Sequence, residues 1–208
     1  MAAERATRVR KAPAERRAEI ISAASRIALE EGLERITLRA VAERLGVRPG
    51  LITHYFPAAE ELVIAAFQLA ASREREQLHA AAGGPLARLA AFVRLVERDG
   101  EELSRLWLNA KHLARFTPAL AEAVQEQERL DRERLTALIA EGCAAGAFAA
   151  EDPEAACVRI FLAVDGFGAY ANNPSLIAHE AYAHFVADVA EWALGLRPGT
   201  LRALLAGS

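Results

Sequence analysis

Three observations predict an all-α fold for this 208-residue chain. Ala, Leu, Glu and Arg dominate a composition with only 13 Gly and 8 Pro, which favours helix over strand. Apolar residues recur three and four positions apart rather than in alternation. Gly and Pro fall between these periodic stretches, where they act as helix stops and starts. At 53% apolar residues, the chain can bury a sizeable core.

The elements follow in order. Residues 14–31 carry Ile20, Ile21, Ala24, Ile27 and Ala28 on one face and stop at Gly32. Thr37 is the expected N-cap of a short helix from Leu38 to Leu45, with Ile36 and Val41 as a hydrophobic staple. Gly46 ends it. Pro49 suits the first position of a third helix that ends near Phe56. A long helix is expected from Ala59 to Ala82, stopped by Gly83-Gly84. Pro85 opens another to about Arg98, and one more runs from Glu101 to Arg115. Thr117-Pro118, Asp152-Pro153 and Asn173-Pro174 each read as an N-cap followed by Pro. The last helix ends at Gly195. This makes about nine helices, divided into a flexible basic arm (1–12), a helix-turn-helix head (13–58), a helical body (59–196) and a C-terminal tail (197–208).

Charge separates the head from the body. Residues 1–56 carry 11 Lys and Arg against 7 acidic residues, whereas the remainder is net acidic. A basic front on an acidic body suggests an anion-binding head. Within it, two short helices joined by "LGV" and preceded by a longer one match a helix-turn-helix. Gly46 supplies the positive φ of the turn. Ala42, Leu45, Val47 and Ile52 form the expected small core. Pro49 and Gly50 keep the start of the third helix narrow, with its positive end toward a phosphate or base edge. Arg48, Leu51, Thr53, His54 and Tyr55 then point outward. Such a set can meet guanine, thymine methyl and phosphate.

The stretch "ITLRAVAERLGVRPGLITHYFPAAEEL" resembles the DNA-binding region of the TetR family of bacterial transcriptional regulators. The pattern falls on Thr37, Val41-Ala42, Gly46-Val47, Gly50, Tyr55-Phe56 and Glu61-Leu62, with Glu60 alongside. "GLITHYF" is similar to the BetI-type version, and "DPEAACVRIFLAVDGFGAYA" resembles, more weakly, the final helical region of that subgroup. The resemblance implies a cytoplasmic homodimer with one double-stranded DNA operator half-site per head, released when a small-molecule effector binds the body. Thr37, Arg39, Arg48, Pro49, Gly50, Leu51, Thr53, His54 and Tyr55 are the candidate DNA-binding residues. One departure is Ala59, where the family usually has a Lys that holds a DNA phosphate. Arg48, at a position where Ser is common, and Arg5, Arg8, Arg10 and Lys11 of the arm are the cations expected to offset it.

In the body, residues 160–171 are apolar around almost the whole helix, with one charge at Asp165. The last helix carries Leu176, Ile177, Tyr182, Phe185, Val186, Val189 and Trp192 as a wide apolar stripe. Two such helices from each subunit suit a four-helix dimer interface. Trp107, His112, Phe116, Phe161, Phe167 and Tyr170 are candidates for an effector pocket, although aromatic stripes at helical spacing are more often core. Asp165 must be paired, hydrogen-bonded or functional; it faces a cationic ligand, caps a neighbouring backbone or pairs with an Arg at the interface.

Other chemistries find little support. Cys143 and Cys157 lie in no metal-type spacing and read as core residues in a reducing compartment. His179 and His184 are not spaced as a helical metal pair. Nucleophile-elbow, P-loop and dinucleotide motifs do not occur, so neither an enzyme nor a cofactor is expected. No apolar stretch is long enough to span a membrane. The rivals to a ligand-responsive repressor are a helical-bundle enzyme or carrier with a relic head, and a DNA-binding protein without an inducer.

Overall fold

The computed structural model describes residues 12–79, 82–172, 177 and 179–206. The basic arm up to Lys11, the Asn173-Pro174 helix start and Leu176 lie outside the described residues. Within them the chain forms eleven α-helices and no strand. They are α1 (Pro13–Glu30), α2 (Leu38–Leu45), α3 (Pro49–Tyr55), α4 (Ala59–His79), α5 (Pro85–Arg94), α6 (Glu101–Ala114), α7 (Pro118–Ala144), α8 (Pro153–Ala171), α9 (Glu180–Ala183), α10 (Phe185–Ala193) and α11 (Thr200–Ala206).

Local chemistry sets most of the helix ends. The Thr37 hydroxyl accepts the Ala40 N–H at 3.0 Å, and the Asp152 carboxylate accepts from Glu154 and Ala155. Pro occupies the first turn of α1, α3, α5, α7 and α8. Gly46 adopts the left-handed conformation, with φ 63°, and turns the chain from α2 toward α3. Thr117 precedes α7 as expected, yet its side chain makes no capping bond.

Four segments differ from the sequence reading. A single 3₁₀ turn, Leu33–Arg35, fills the gap between α1 and α2. The helix expected to reach Arg98 continues past α5 as a π-helical turn, Leu95–Asp99. The long final helix is broken at His184 into α9 and α10. The residues expected as a tail form α11, because Leu201 and Leu205 bury fully against the body. The cap of α11 comes from Glu191 of α10, whose carboxylate accepts the Gly199 and Leu201 N–H groups at 2.7 and 2.6 Å.

Two apolar cores result. One joins α1–α4 to Leu106 and Ala110 of α6 and to Leu120, Ala123 and Val124 at the start of α7. The other gathers α5, α8, α10 and α11 around Leu135 and Ile139 in the second half of α7. The head is therefore not closed at residue 58. Leu62, Ala66 and Phe67 of α4 belong to its core, and α4 packs along α1. Asn109 of α6 also accepts the Leu33 N–H at 2.7 Å. Each fully buried Leu or Phe contributes about 1.5–3 kcal/mol, so this shared core binds head to body firmly.

Candidate nucleic-acid interface and body cavity

α3 is held from below and left open above. Ile52 and Phe56 are completely buried, and the Arg17 guanidinium lies 4.9 Å from the centre of the Phe56 ring. These anchors turn Arg48, Pro49, Gly50, Thr53 and His54 to solvent. Leu51 and Tyr55 are half-buried, and Tyr55 packs against the head core. Its ring meets His54 edge-on at 5.2 Å. The exposed Thr37 already uses its hydroxyl as a cap acceptor, which leaves the O–H free to donate. The Thr53 hydroxyl donates to the Pro49 carbonyl at 3.3 Å. Arg39 is exposed and paired with Glu43 at 2.7 Å, and that pair holds its pKa above the usual value. Arg44 ties α2 to Glu30 and Glu31 at the end of α1. All nine candidate DNA-binding residues thus lie on α2, on α3 or at the residue before each.

Gly50 stands out by what surrounds it. It is not among the glycines with positive φ, and a Cβ built there would meet no atom within 4 Å. Neither the backbone nor the packing of the chain demands a glycine there.

The body encloses a cavity of about 590 Å³ between α4, α5, α6, α7 and α8. Trp107, Phe161 and Asp165 line it, together with Phe92, Leu103 and Leu138. Trp107 is braced edge-on against Phe67 of the head core at 5.2 Å. The other four candidate pocket residues lie elsewhere. Phe167 is buried and stacked on Tyr182 at 4.9 Å, and Tyr170 is half exposed with its edge toward Tyr182. His112 lines a separate shallow cleft with Asn109 and Asn172, and Phe116 beside it is 72% exposed. Position explains this: His112 faces the second cleft, Phe116 lies past the end of α6, and Phe167 and Tyr170 face Tyr182.

Asp165 is paired. Lys111 donates to it at 2.6 Å and lies 3.1 Å from Glu128. Burial opposes the charge on Lys111, but its two carboxylate partners outweigh that and hold its pKa above the usual lysine value. Deeper in the cavity wall, Arg75 donates to Asp131 at 2.6 Å and to the buried Gln127. Burial nevertheless pushes the Asp131 carboxyl up, against the pull of Arg75.

Residues 20–66, from the middle of α1 to the start of α4, match the sequence model described as bacterial regulatory proteins, tetR family. The helix-turn-helix head is thus similar to the DNA-binding region of the tetR family. It is 32% identical over 99 residues to the HTH-type transcriptional regulator BetI of Rhizobium meliloti (strain 1021). That match covers 45% of this chain and 49% of BetI, so the chain spans about half the length of its curated relative. Solved structures share the fold across most of the chain. A TetR-family regulator from Cytophaga hutchinsonii superposes with TM-score 0.74 at 20% identity, covering 88% of this chain and 96% of that one. One from Haloarcula marismortui gives 0.73 at 19% identity, over 88% and 97%. A transcriptional regulator from Saccharomonospora viridis, solved with choline, gives 0.70 at 20% identity, over 86% and 96%.

Against this TetR-type frame, sequence reasoning missed Lys111, Glu128, Arg75 and Asp131. Each is an ordinary charge on an amphipathic helix until α6, α7 and α8 come together. The only sequence signal was Asp165, whose need for a partner left a cationic ligand, a backbone cap and an interface Arg open, whereas the structure pairs it with Lys111 of the same chain. Cavity-lining Val158 and Leu162 were missed too, because only the aromatic residues and Asp165 of α8 stand out in the sequence as pocket candidates.

Proposed function

We propose that this chain is a ligand-responsive DNA-binding regulator of the TetR family, a homodimeric repressor acting in the cytoplasm and released from its operator by a small molecule held in the body cavity. The DNA-contacting unit is residues 13–58, and the effector and dimer contacts lie in the helices that follow.

Gly50 carries the reading. A glycine that the fold does not need, at the open N-terminal turn of an exposed helix, leaves room for an incoming backbone, and the helix dipole favours an anion there. Arg48 flanks this gap, and Arg39 is exposed at the start of α2. A single head reads only a few base pairs, so two are needed to specify a site. Trp192 at 69% exposure and Leu162 at 67% offer the apolar surface to pair them. These residues lie on α10 and α8, which pack together, and Arg159 of α8 covers the Trp192 ring at 5.0 Å. Val186, expected in the dimer stripe, is fully buried within the chain and takes no part.

Fluorescence anisotropy on a duplex from upstream of the protein's own gene tests the proposal. Tight binding is expected, with Arg48→Ala weakening it by about 1–3 kcal/mol at one base pair if Arg48 reads a guanine. Equal weakening on random DNA assigns Arg48 to phosphate. Failure of the wild type to bind any duplex at micromolar concentration refutes the proposal.

A further inference from the structure

The cavity that the proposed function reads as the effector site has a charge pattern that bears on what it holds. Its described lining contains five basic and four acidic residues. Every one of those carboxylates already has a cation. Asp131 is held by Arg75, Glu141 by Arg88, and both Asp165 and Glu128 by Lys111. A bound ammonium group would have to compete with an existing ion pair for any of these acids. Hydrogen-bond donors, in contrast, remain available. Arg88 uses one terminal nitrogen on Glu141, and the half-exposed Arg132 stands 3.9 Å from Glu128, beyond hydrogen-bond range. Guanidinium groups with spare N–H donors suit a carboxylate. The rest of the wall, with Phe92, Leu138 and Phe161, is apolar and suits a hydrocarbon body.

We infer that this cavity accepts an amphipathic anion, a carboxylate on an apolar body, and that Lys111 sets the choice by occupying Asp165 and Glu128. The inference rests on the reading of the cavity as the effector site. It also separates this chain from the choline-bound neighbour, since a quaternary ammonium finds no carboxylate to itself here.

The test uses two probes with the same tail and opposite heads. Decanoate and decyltrimethylammonium are titrated into the full-length protein by calorimetry, with choline as a third probe. Decanoate is expected to bind at least roughly tenfold more tightly than decyltrimethylammonium. Lys111→Met, which frees Asp165 and leaves Glu128 only Arg132 at 3.9 Å, should abolish that preference, and Lys111→Arg should keep it. Circular dichroism checks that both variants are folded, and the wild-type comparison stands without them. Equal affinity for the two heads, tighter binding of either ammonium probe, or no binding of decanoate would each overturn the inference. Decanoate that binds without changing operator affinity would instead count against the inducer mechanism and leave the cavity chemistry standing.

Discussion

The head and the body of this protein secure their helix ends by different means. In the head, Thr37 caps α2 from the adjacent position and Gly46 closes it one residue past its end. In the body, α10 is capped by Glu97, 90 residues earlier in the chain, whose carboxylate accepts the Ala187 N–H at 2.9 Å. α11 is capped across a turn by Glu191. A local cap forms wherever its few residues form, but a remote cap exists only when two elements have docked. The head is thus preset by local caps, and in the body the ends of α10 and α11, unlike the locally capped α8, depend on docked elements. The π-helical turn that carries Glu97 also presents Leu95 and Val96 to that cavity, which places the cap of α10 on the cavity's own wall.

The largest expected effect is on the head. Phe56 is its fully buried anchor at the end of α3, and Phe56→Ala should cost about 3–5 kcal/mol in chemical denaturation followed by circular dichroism. A cost near zero would mean that the shared core with α6 and α7, rather than the head's own anchor, holds α3 in place.

Next comes the face assigned to self-association. Trp192→Glu alters a mostly exposed side chain, so the stability of the subunit should stay within about 0.5 kcal/mol. A dimer using that ring should lose at least about 2 kcal/mol of association free energy. Sedimentation at micromolar concentration reads the difference, and an unchanged dimer would move the interface off α10.

Glu97 supplies a pH effect in the body. Burial pushes its carboxyl up to about 7 from the usual 4.5, the charge of Asp188 adds to this, and the Ala187 and Val186 N–H groups and Arg98 oppose it. The folded value is the higher one, so folding takes up a proton between the two. The stabilisation is complete below about pH 4.5 and is lost as pH rises through about 7. Glu97→Gln cannot titrate. Between pH 5 and 8 the wild type should therefore lose on the order of 1 kcal/mol relative to Glu97→Gln in parallel denaturant melts. Parallel pH profiles would show that Glu97 stays ionised throughout.

The smallest effect on stability, and the one that sharpens the contrast most, is at Gly50. With open space around the position, Gly50→Ala should leave the free protein unchanged or up to about 1 kcal/mol more stable. Operator affinity should nonetheless fall. A variant that binds DNA as well as the wild type would remove the reason for a glycine there.

The head was legible because its signals are short-range. Thr37, Gly46, Pro49 and the apolar positions Val41, Ala42, Ile52 and Phe56 specify α2, the turn and α3 within twenty residues of chain. The surface of α3 followed from the same register, apart from Leu51 and Tyr55, which pack partly inward. In the body, helix starts marked by Pro were legible for α5, α7 and α8. The break at His184 was not, and neither was α11, because their caps come from Glu97 and Glu191.

By itself the sequence determined the all-α class, the helix-turn-helix and the exposed reading face, since helix propensity, capping and apolar period act over a few residues. Only the tertiary structure decided which side chains share the cavity. Trp107, Phe161 and Asp165 meet there while His112, Phe167 and Tyr170 face other neighbours and Phe116 lies past the end of α6, because which side of a helix lines a cavity is fixed only when the helices dock. The pairing of Asp165 with Lys111, 54 residues apart, was likewise settled only when α6 and α8 docked and brought the two charges side by side.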